Sequence, residues 1–446
     1  MARSLESKPG SRTGCAGGWL QAALLALLPA SAPAVTWDYV PSLSAGAGYE
    51  TNPGGTSNSD QEDDGYVTSG TASLNITGET GTTRISSRPE LQGAIYSGTD
   101  DQYRDDSYLN YILPVTVSES WQRALGSFSG GYSRISTRDS IVVGFDPNNP
   151  PRPGIDTTNR RTEYQERWYL APSFRYQVTP RDIVGLSINY DDVTYTEAEF
   201  SFRTDYIASS ADLSWDRSLS PQSTVSLSAN VSGFEATRPG SPVENDTLTY
   251  GLSAGYQFAL TPTATLGLTA GASRSEVKIK GLAFITTPIG PLPCLDPVQN
   301  TFVLCTMEGT DDNFLGQVYY RQRAGDSITT ELRLSRSIEP NSDGSQVTLD
   351  QVSAFLTKDF SRLLYARLGA RFSKQDAVVS RGGALSNRFN RDYYTVEASL
   401  TRRLNRSWSL RAQYTFTDDE QTQGFTYSVS NHRLYLYLQY TGLGSH

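Results

Sequence analysis

The sequence predicts an all-β fold: a transmembrane up-and-down antiparallel β-barrel of about 18 strands, with 16 to 20 as the range that one miscounted hairpin allows. Three observations predict it. Apolar and polar residues alternate for about ten or more positions at a time, the length a tilted strand needs to cross a bilayer, whereas strands of soluble sandwiches usually run about five or six. Short turns and long polar loops take turns as connections along the chain. The composition is polar, 37% hydrophobic with 26 Tyr against 2 Met. That is too little apolar matter for a large core, but enough to coat a cylinder with hydrocarbon outside and water inside.

The chain opens with Arg3, Lys8 and Arg12, then the apolar run from Trp19 to Leu28, then small residues ending Ala32-Pro33-Ala34. This is the pattern of a secretory signal with an A-x-A cleavage site, so residues 1–34 are expected to be a signal peptide and residues 35–446 a single barrel domain. An N-terminal membrane anchor is the alternative, but the run is shorter than the roughly 18 residues of a spanning helix.

The strands show their faces directly. In 246–260, Leu248, Tyr250, Leu252, Ala254, Tyr256, Phe258 and Leu260 share one side, and Thr247, Thr249, Gly251, Ser253, Gly255 and Gln257 the other. In 363–373, Leu364, Ala366, Leu368, Ala370 and Phe372 oppose Tyr365, Arg367, Gly369, Arg371 and Ser373. Side chains at i and i+2 share a face, so each strand has a greasy side and a wet side. Aromatic residues near strand ends (Trp121, Trp168, Tyr176, Tyr190, Trp215, Phe258, Trp408) fit interfacial girdles. Short turns are expected at 79–82, 121–124, 178–182, 219–223, 261–263, 324–326, 360–362 and 404–406, several around Pro180, Pro221 and Pro262, which preset a tight reversal. Long loops are expected at 52–65, 98–105, 137–162, 196–202, 237–245, 279–311, 339–344, 376–387 and 418–424. In barrels of this class the short turns are periplasmic and the long loops extracellular, which places the protein in the outer membrane with both termini periplasmic.

A net charge of -9 argues against a nucleic-acid partner, which needs concentrated Lys and Arg. The expected surroundings are outer-membrane lipid and lipopolysaccharide. Catalysis has little to build on: after residue 34 only His432 and His446 remain, and His432 shares the face of Leu434. No enzyme activity, cofactor or metal is expected. The acidic run Asp60–Asp64 lacks the ligand spacing and glycine of a defined calcium loop and is a solvated loop by preference. Gly46-x-Gly48 sits inside a strand with no helix following, so it carries no phosphate-loop meaning. Cys294 and Cys305 share one polar, Pro-rich segment of an exported chain, where an oxidising compartment favours a disulfide; two free loop thiols are the alternative.

Charge on the inner face is the most informative pattern. Alternation points Arg167, Arg175, Arg321, Arg333, Arg367, Arg371, Arg411 and Arg433 into the lumen as transport candidates, against Glu163, Asp212, Asp216, Glu331 and Glu397. Rings of Arg are a device for anion pathways. The competing expectation is that these groups pair and brace the wall.

The segment Ser42-Leu43-Ser44-Ala45-Gly46-Ala47-Gly48-Tyr49-Glu50-Thr51-Asn52-Pro53, a first strand ending in Tyr-acidic-x-Asn, resembles the start of porin-like outer-membrane β-barrel proteins encoded in exopolysaccharide loci. The plan of signal, about 18 strands and Pro-containing turns is similar to that family over nearly the whole mature length. The last strand, from Arg433 to Tyr440, resembles the C-terminal signal of the barrel-assembly machinery, although the chain continues to His446. The family resemblance implies a channel or scaffold for export of a cell-surface exopolysaccharide, with periplasmic polysaccharide-export components as partners, and supplies no catalytic residues. A general or substrate-specific porin for small solutes, anionic ones among them, is the first alternative. A structural or adhesive barrel plugged by 137–162 or 279–311 is the second, because fold does not fix function.

Overall fold

A computed structural model describes residues 35–51, 64–98, 107–136, 164–196, 204–237, 244–282, 284–287, 290–293, 305–340, 346–377, 390–422 and 426–442. They form a closed barrel of 18 antiparallel strands. The strands are β1 (Thr36–Thr51), β2 (Asp64–Glu79), β3 in two pieces (Thr83–Ser87 and Glu90–Gly98), β4 (Tyr108–Ser120), β5 (Ala124–Ser136) and β6 (Tyr164–Gln177). Next come β7 (Asp182–Thr196), β8 (Asp205–Ser220), β9 (Ser223–Thr237), β10 (Glu244–Thr261), β11 (Ala264–Leu282) and β12 (Cys305–Ala324). The last six are β13 (Ile328–Pro340), β14 (Gln346–Ser361), β15 (Leu364–Ala377), β16 (Asn390–Arg403), β17 (Trp408–Thr422) and β18 (Thr426–Thr441). Between β11 and β12, Phe284–Thr287 and Gly290–Pro293 pair as a small separate ribbon.

All eight predicted short turns are present, and their chemistry is local. Asn405 Oδ1 accepts the amides of Ser407 and Trp408, each at 2.9 Å, and Ser361 Oγ accepts those of Leu363 and Leu364. Such side-chain caps replace the ladder bonds a reversing backbone loses. At the β12–β13 turn Gly325 takes φ 61°, a left-handed conformation that glycine adopts without a Cβ clash.

Each strand buries little, because the barrel has an inside rather than a core. The apolar side chains point outward: Leu252 is 69% exposed, Leu434 57% and Leu368 50%, and in a bilayer that surface lies against hydrocarbon. Aromatic pairs mark the edges of the belt, with Tyr49 against Tyr66 at the loop rim and Trp408 against Tyr440 at the turn rim. Tyr39 and Tyr49 share the outer face of β1 and lie about 33 Å apart along the strand. At a tilt of about 40° that is roughly 25 Å of height, the thickness of the apolar band in such barrels.

The sheet closes where β18 pairs with β1, from Ser42↔Thr441 to Glu50↔Arg433. Gly46 and Gly48 earn their place there. A Cβ on Gly46 would lie 2.3 Å from Tyr437 Cδ1, and one on Gly48 2.4 Å from Tyr435 Cδ1, so the two stacked tyrosine rings lie flat on bare backbone.

Two loop expectations need correction. The connection expected at 418–424 is mostly strand, since β17 runs to Thr422 and β18 starts at Thr426. That expected at 279–311 gives up its flanks to β11 and β12, which run to Leu282 and from Cys305. Both errors have one cause: charged residues past the apolar belt look like loop in sequence, but a strand leaving the bilayer can carry them in cross-strand pairs. Lys278–Glu308 at 2.7 Å and Arg391–Asp419 at 2.6 Å are such pairs. The signal 1–34, the loop 137–162, Glu163, Cys294 and Asp60 to Asp63 lie outside the described residues.

Candidate functional site

The lumen is the candidate site, and its wall follows from the inward half of each alternation. Across β4 to β11 the inner face carries small hydroxyl residues that bond to the next strand: Thr116 to Ser129 at 3.1 Å, Ser127 to Ser173 at 2.7 Å, Ser228 to Ser253 at 2.6 Å. These pairs satisfy each other and add no net charge.

From β12 round to β1 the wall is charged. Alternation with the exposed, outward Trp168, Phe174, Leu332, Leu334, Leu368 and Leu434 puts Arg167, Arg175, Arg333, Arg367 and Arg433 on the luminal face, and Arg321, Arg411 and Arg371 share it through Glu331, Glu397 and Ser353. Four of them meet inward carboxylates. Arg433 Nε lies 3.7 Å from Glu50, whose carboxylate also accepts the Tyr435 hydroxyl. Arg411 lies 3.1 Å from Glu397, and Arg321 3.2 Å from Glu331. Arg167 on β6 holds Asp191 at 2.5 Å. The other four differ. Among the described residues Arg175, Arg333 and Arg367 have no carboxylate within ion-pair reach; Arg333 lies over the Tyr319 ring at 5.8 Å and Arg367 over Phe355 at 5.2 Å. Arg371 shares a register row with Arg333 through Ser353 and feels its charge.

Alternation also covers luminal residues the sequence reading passed over. Arg391 makes a two-pronged contact to Asp419, at 2.7 and 2.6 Å, with both side chains nearly fully buried. Continuing the period from Glu397 back to Tyr393 and Arg391 would have found it. Asp212 and Asp216 point inward as expected, on β8.

His432 stands on the outer face beside Leu434, with its Nδ1 2.8 Å from the Tyr414 hydroxyl and its ring 4.8 Å from Phe416. That is an interfacial aromatic cluster with no access to the lumen. Asp64 accepts a hydrogen bond from the Tyr49 hydroxyl. Cys305 opens β12, and its partner in the expected disulfide is outside the described residues.

No protein-family profile and no curated protein matches the sequence. Among solved structures, the barrel is similar to OccAB4 of Acinetobacter baumannii (11% identity over 92% of this chain and 99% of that one, TM-score 0.42). It is also similar to OpdQ of Pseudomonas aeruginosa (8%, 92% and 99%, TM-score 0.41) and to the unliganded ferric citrate transporter FecA (8%, 90% and 78%, TM-score 0.45). Likeness at this level shows neither a shared family nor a shared cargo.

Proposed function

We propose that the protein is an outer-membrane channel for small anionic solutes. The observation that supports this most is the pair Arg333 and Arg367 on β13 and β15, where luminal cations face Ser353 and Thr357 across the ladder, with no carboxylate in ion-pair reach among the described residues. Fixed positive charge in a confined aqueous path concentrates counter-ions, and a closed barrel of about 18 strands is wide enough for such a path. An apolar belt between aromatic girdles suits an outer-membrane barrel, with the turn rim and both chain ends on the periplasmic side. Beyond the belt, the outer face carries ion pairs such as Lys280–Asp246 at 2.7 Å and Arg336–Asp350 at 3.4 Å, which suit the polar headgroup layer of lipopolysaccharide. Export of a polysaccharide, which the resemblance implies, has no separate support among these features.

Reversal potentials of single channels in planar bilayers test the reading. The parental chain is expected to prefer anions, and Arg333→Gln with Arg367→Gln to lower that preference while the protein still runs as a heat-modifiable barrel on gels. Cation preference in the parental chain would remove the proposal.

A further inference from the structure

The loop-side ends of β13 and β14 depart from the regular wall. Pairing between β12 and β13 stops at Gly316↔Arg336, although both strands run on. Beyond that point β12 continues against β11 up to Leu282↔Cys305, while β13 continues against β14 through Ser337↔Leu349 to Pro340↔Gln346. Two neighbours that separate in this way leave one of them free to leave the cylinder.

Burial says which one does, and in which direction. Gln346, Val347 and Thr348 are 7%, 3% and 6% exposed. Successive residues of a strand point to opposite faces, so three buried in a row means that both faces of this end are covered. A rim standing up from a barrel would be covered on neither. The luminal residues of the wall at β8 to β10 are covered as well: Tyr206, Phe234 and Thr249 are 5%, 1% and 3% exposed. A water-filled lumen would leave them wet. The two sets meet. Thr249 Oγ1 on β10 lies 3.4 Å from Gln346 Oε1 on β14, past three intervening strands. Glu339 on β13 lies within electrostatic reach of Tyr206 on β8, and its carboxyl accepts the Ser337 hydroxyl at 3.1 Å.

We propose that the loop-side ends of β13 and β14 form a tongue folded into the lumen that sets the size limit of the channel, with Glu339, Gln346 and Val347 as the residues that seat it. The role rests on the channel reading above; the docked position does not. The sizes that pass are then set by the gap beside the tongue rather than by the strand number.

Ser337 and Leu349 are cross-strand partners, so an Asn-Gly turn can join them directly and remove the tongue without touching the wall below. In bilayers this variant is expected to conduct roughly twofold more than the parental chain or better, because a wider aqueous section carries more current, and to admit larger sugars in liposome swelling. Gln346→Ala with Val347→Ala, which keeps the strand ends, is expected to move the same way by less. Independently, Thr249→Cys with Gln346→Cys in a Cys294→Ser, Cys305→Ser background is expected to cross-link with a short bis-thiol reagent in isolated outer membranes, without loss of conductance. Failure to cross-link would overturn the docked position. Cross-linking with unchanged conductance and sugar cutoff in both shortened and alanine variants would overturn the size-limiting role and leave the channel reading standing.

Discussion

Two arcs of the same wall carry the same residue type on the same face and use it differently. Along β16, β17, β18 and β1, three luminal arginines meet carboxylates: Arg391 with Asp419, Arg411 with Glu397, Arg433 with Glu50. Along β13 to β15, Arg333 and Arg367 meet aromatic rings and hydroxyls. Type and direction are equal in the two arcs, so the difference lies in strand register, which decides what stands opposite each guanidinium. In one arc the charge is neutralised and holds neighbouring strands together. In the other it is displayed to the lumen. Bracing and transport are therefore divided along the circumference rather than being rival accounts of one ring.

The largest expected effect comes from breaking a brace. Arg433→Leu leaves Glu50, 1% exposed, without its cation, and removing one partner of a buried pair costs about 3–5 kcal/mol. The pair sits at the closing seam, so barrel yield and the gel shift between boiled and unboiled samples should fall sharply. Arg367→Gln, in the other arc, should leave both unchanged. Equal losses would erase the division between the arcs.

Next in size is a charge placed on the wrong face. Leu252→Arg puts a guanidinium against hydrocarbon, worth about 2–4 kcal/mol near the midplane, whereas Ser253→Thr changes a luminal hydroxyl that already bonds to Ser228 at 2.6 Å. Equal tolerance of the two substitutions during assembly would mean the register is off by one, which would turn every luminal arginine outward.

That register was legible in the sequence because a bilayer-crossing strand repeats its period long enough to be unmistakable, as the faces of 246–260 and 363–373 show. The eight turns were legible because Pro, Asn and Ser mark them. What could not be seen was anything set by partners distant in the chain. The sequence shows Arg433 and Arg367 pointing inward, but not that Glu50, at the far end of the chain, faces the first and Thr357 the second. Likewise Gly46 and Gly48 gave a period and a negative result for phosphate binding, while their use, to let Tyr437 and Tyr435 lie flat, exists only once the first and last strands pair. The inward tongue was missed for a related reason, since nothing local to 339–348 says that β12 will let go of β13.

Gly48 offers a smaller test of the bracing arc. Gly48→Ala drives a Cβ into the Tyr435 ring and should move its hydroxyl off Glu50, an overpacking cost of about 1–3 kcal/mol. Tyr435→Ala in the same chain removes the ring but leaves the Leu434 carbonyl oxygen 2.8 Å from the new Cβ, so the double variant should assemble better than Gly48→Ala alone yet short of the parental chain. If it assembles worse, the ring contributes through something other than this contact.

The smallest expected effect is also the sharpest separation of the arcs, because it changes shape and keeps charge. Lysine supplies a cation without the planar two-pronged fork of arginine. Arg391 uses that fork fully, with Nε and one terminal nitrogen each on a separate oxygen of Asp419 at 2.7 and 2.6 Å, so Arg391→Lys should lower resistance to heat or urea in bilayer vesicles. A display arc needs only charge facing water. Arg333→Lys with Arg367→Lys should therefore keep both assembly and the anion preference of single channels close to the parental values, while the Gln pair at the same positions loses the preference. If the lysine pair loses selectivity as the glutamine pair does, the guanidinium planes over Tyr319 and Phe355 matter as shaped surfaces, and the arc is a recognition site rather than a field.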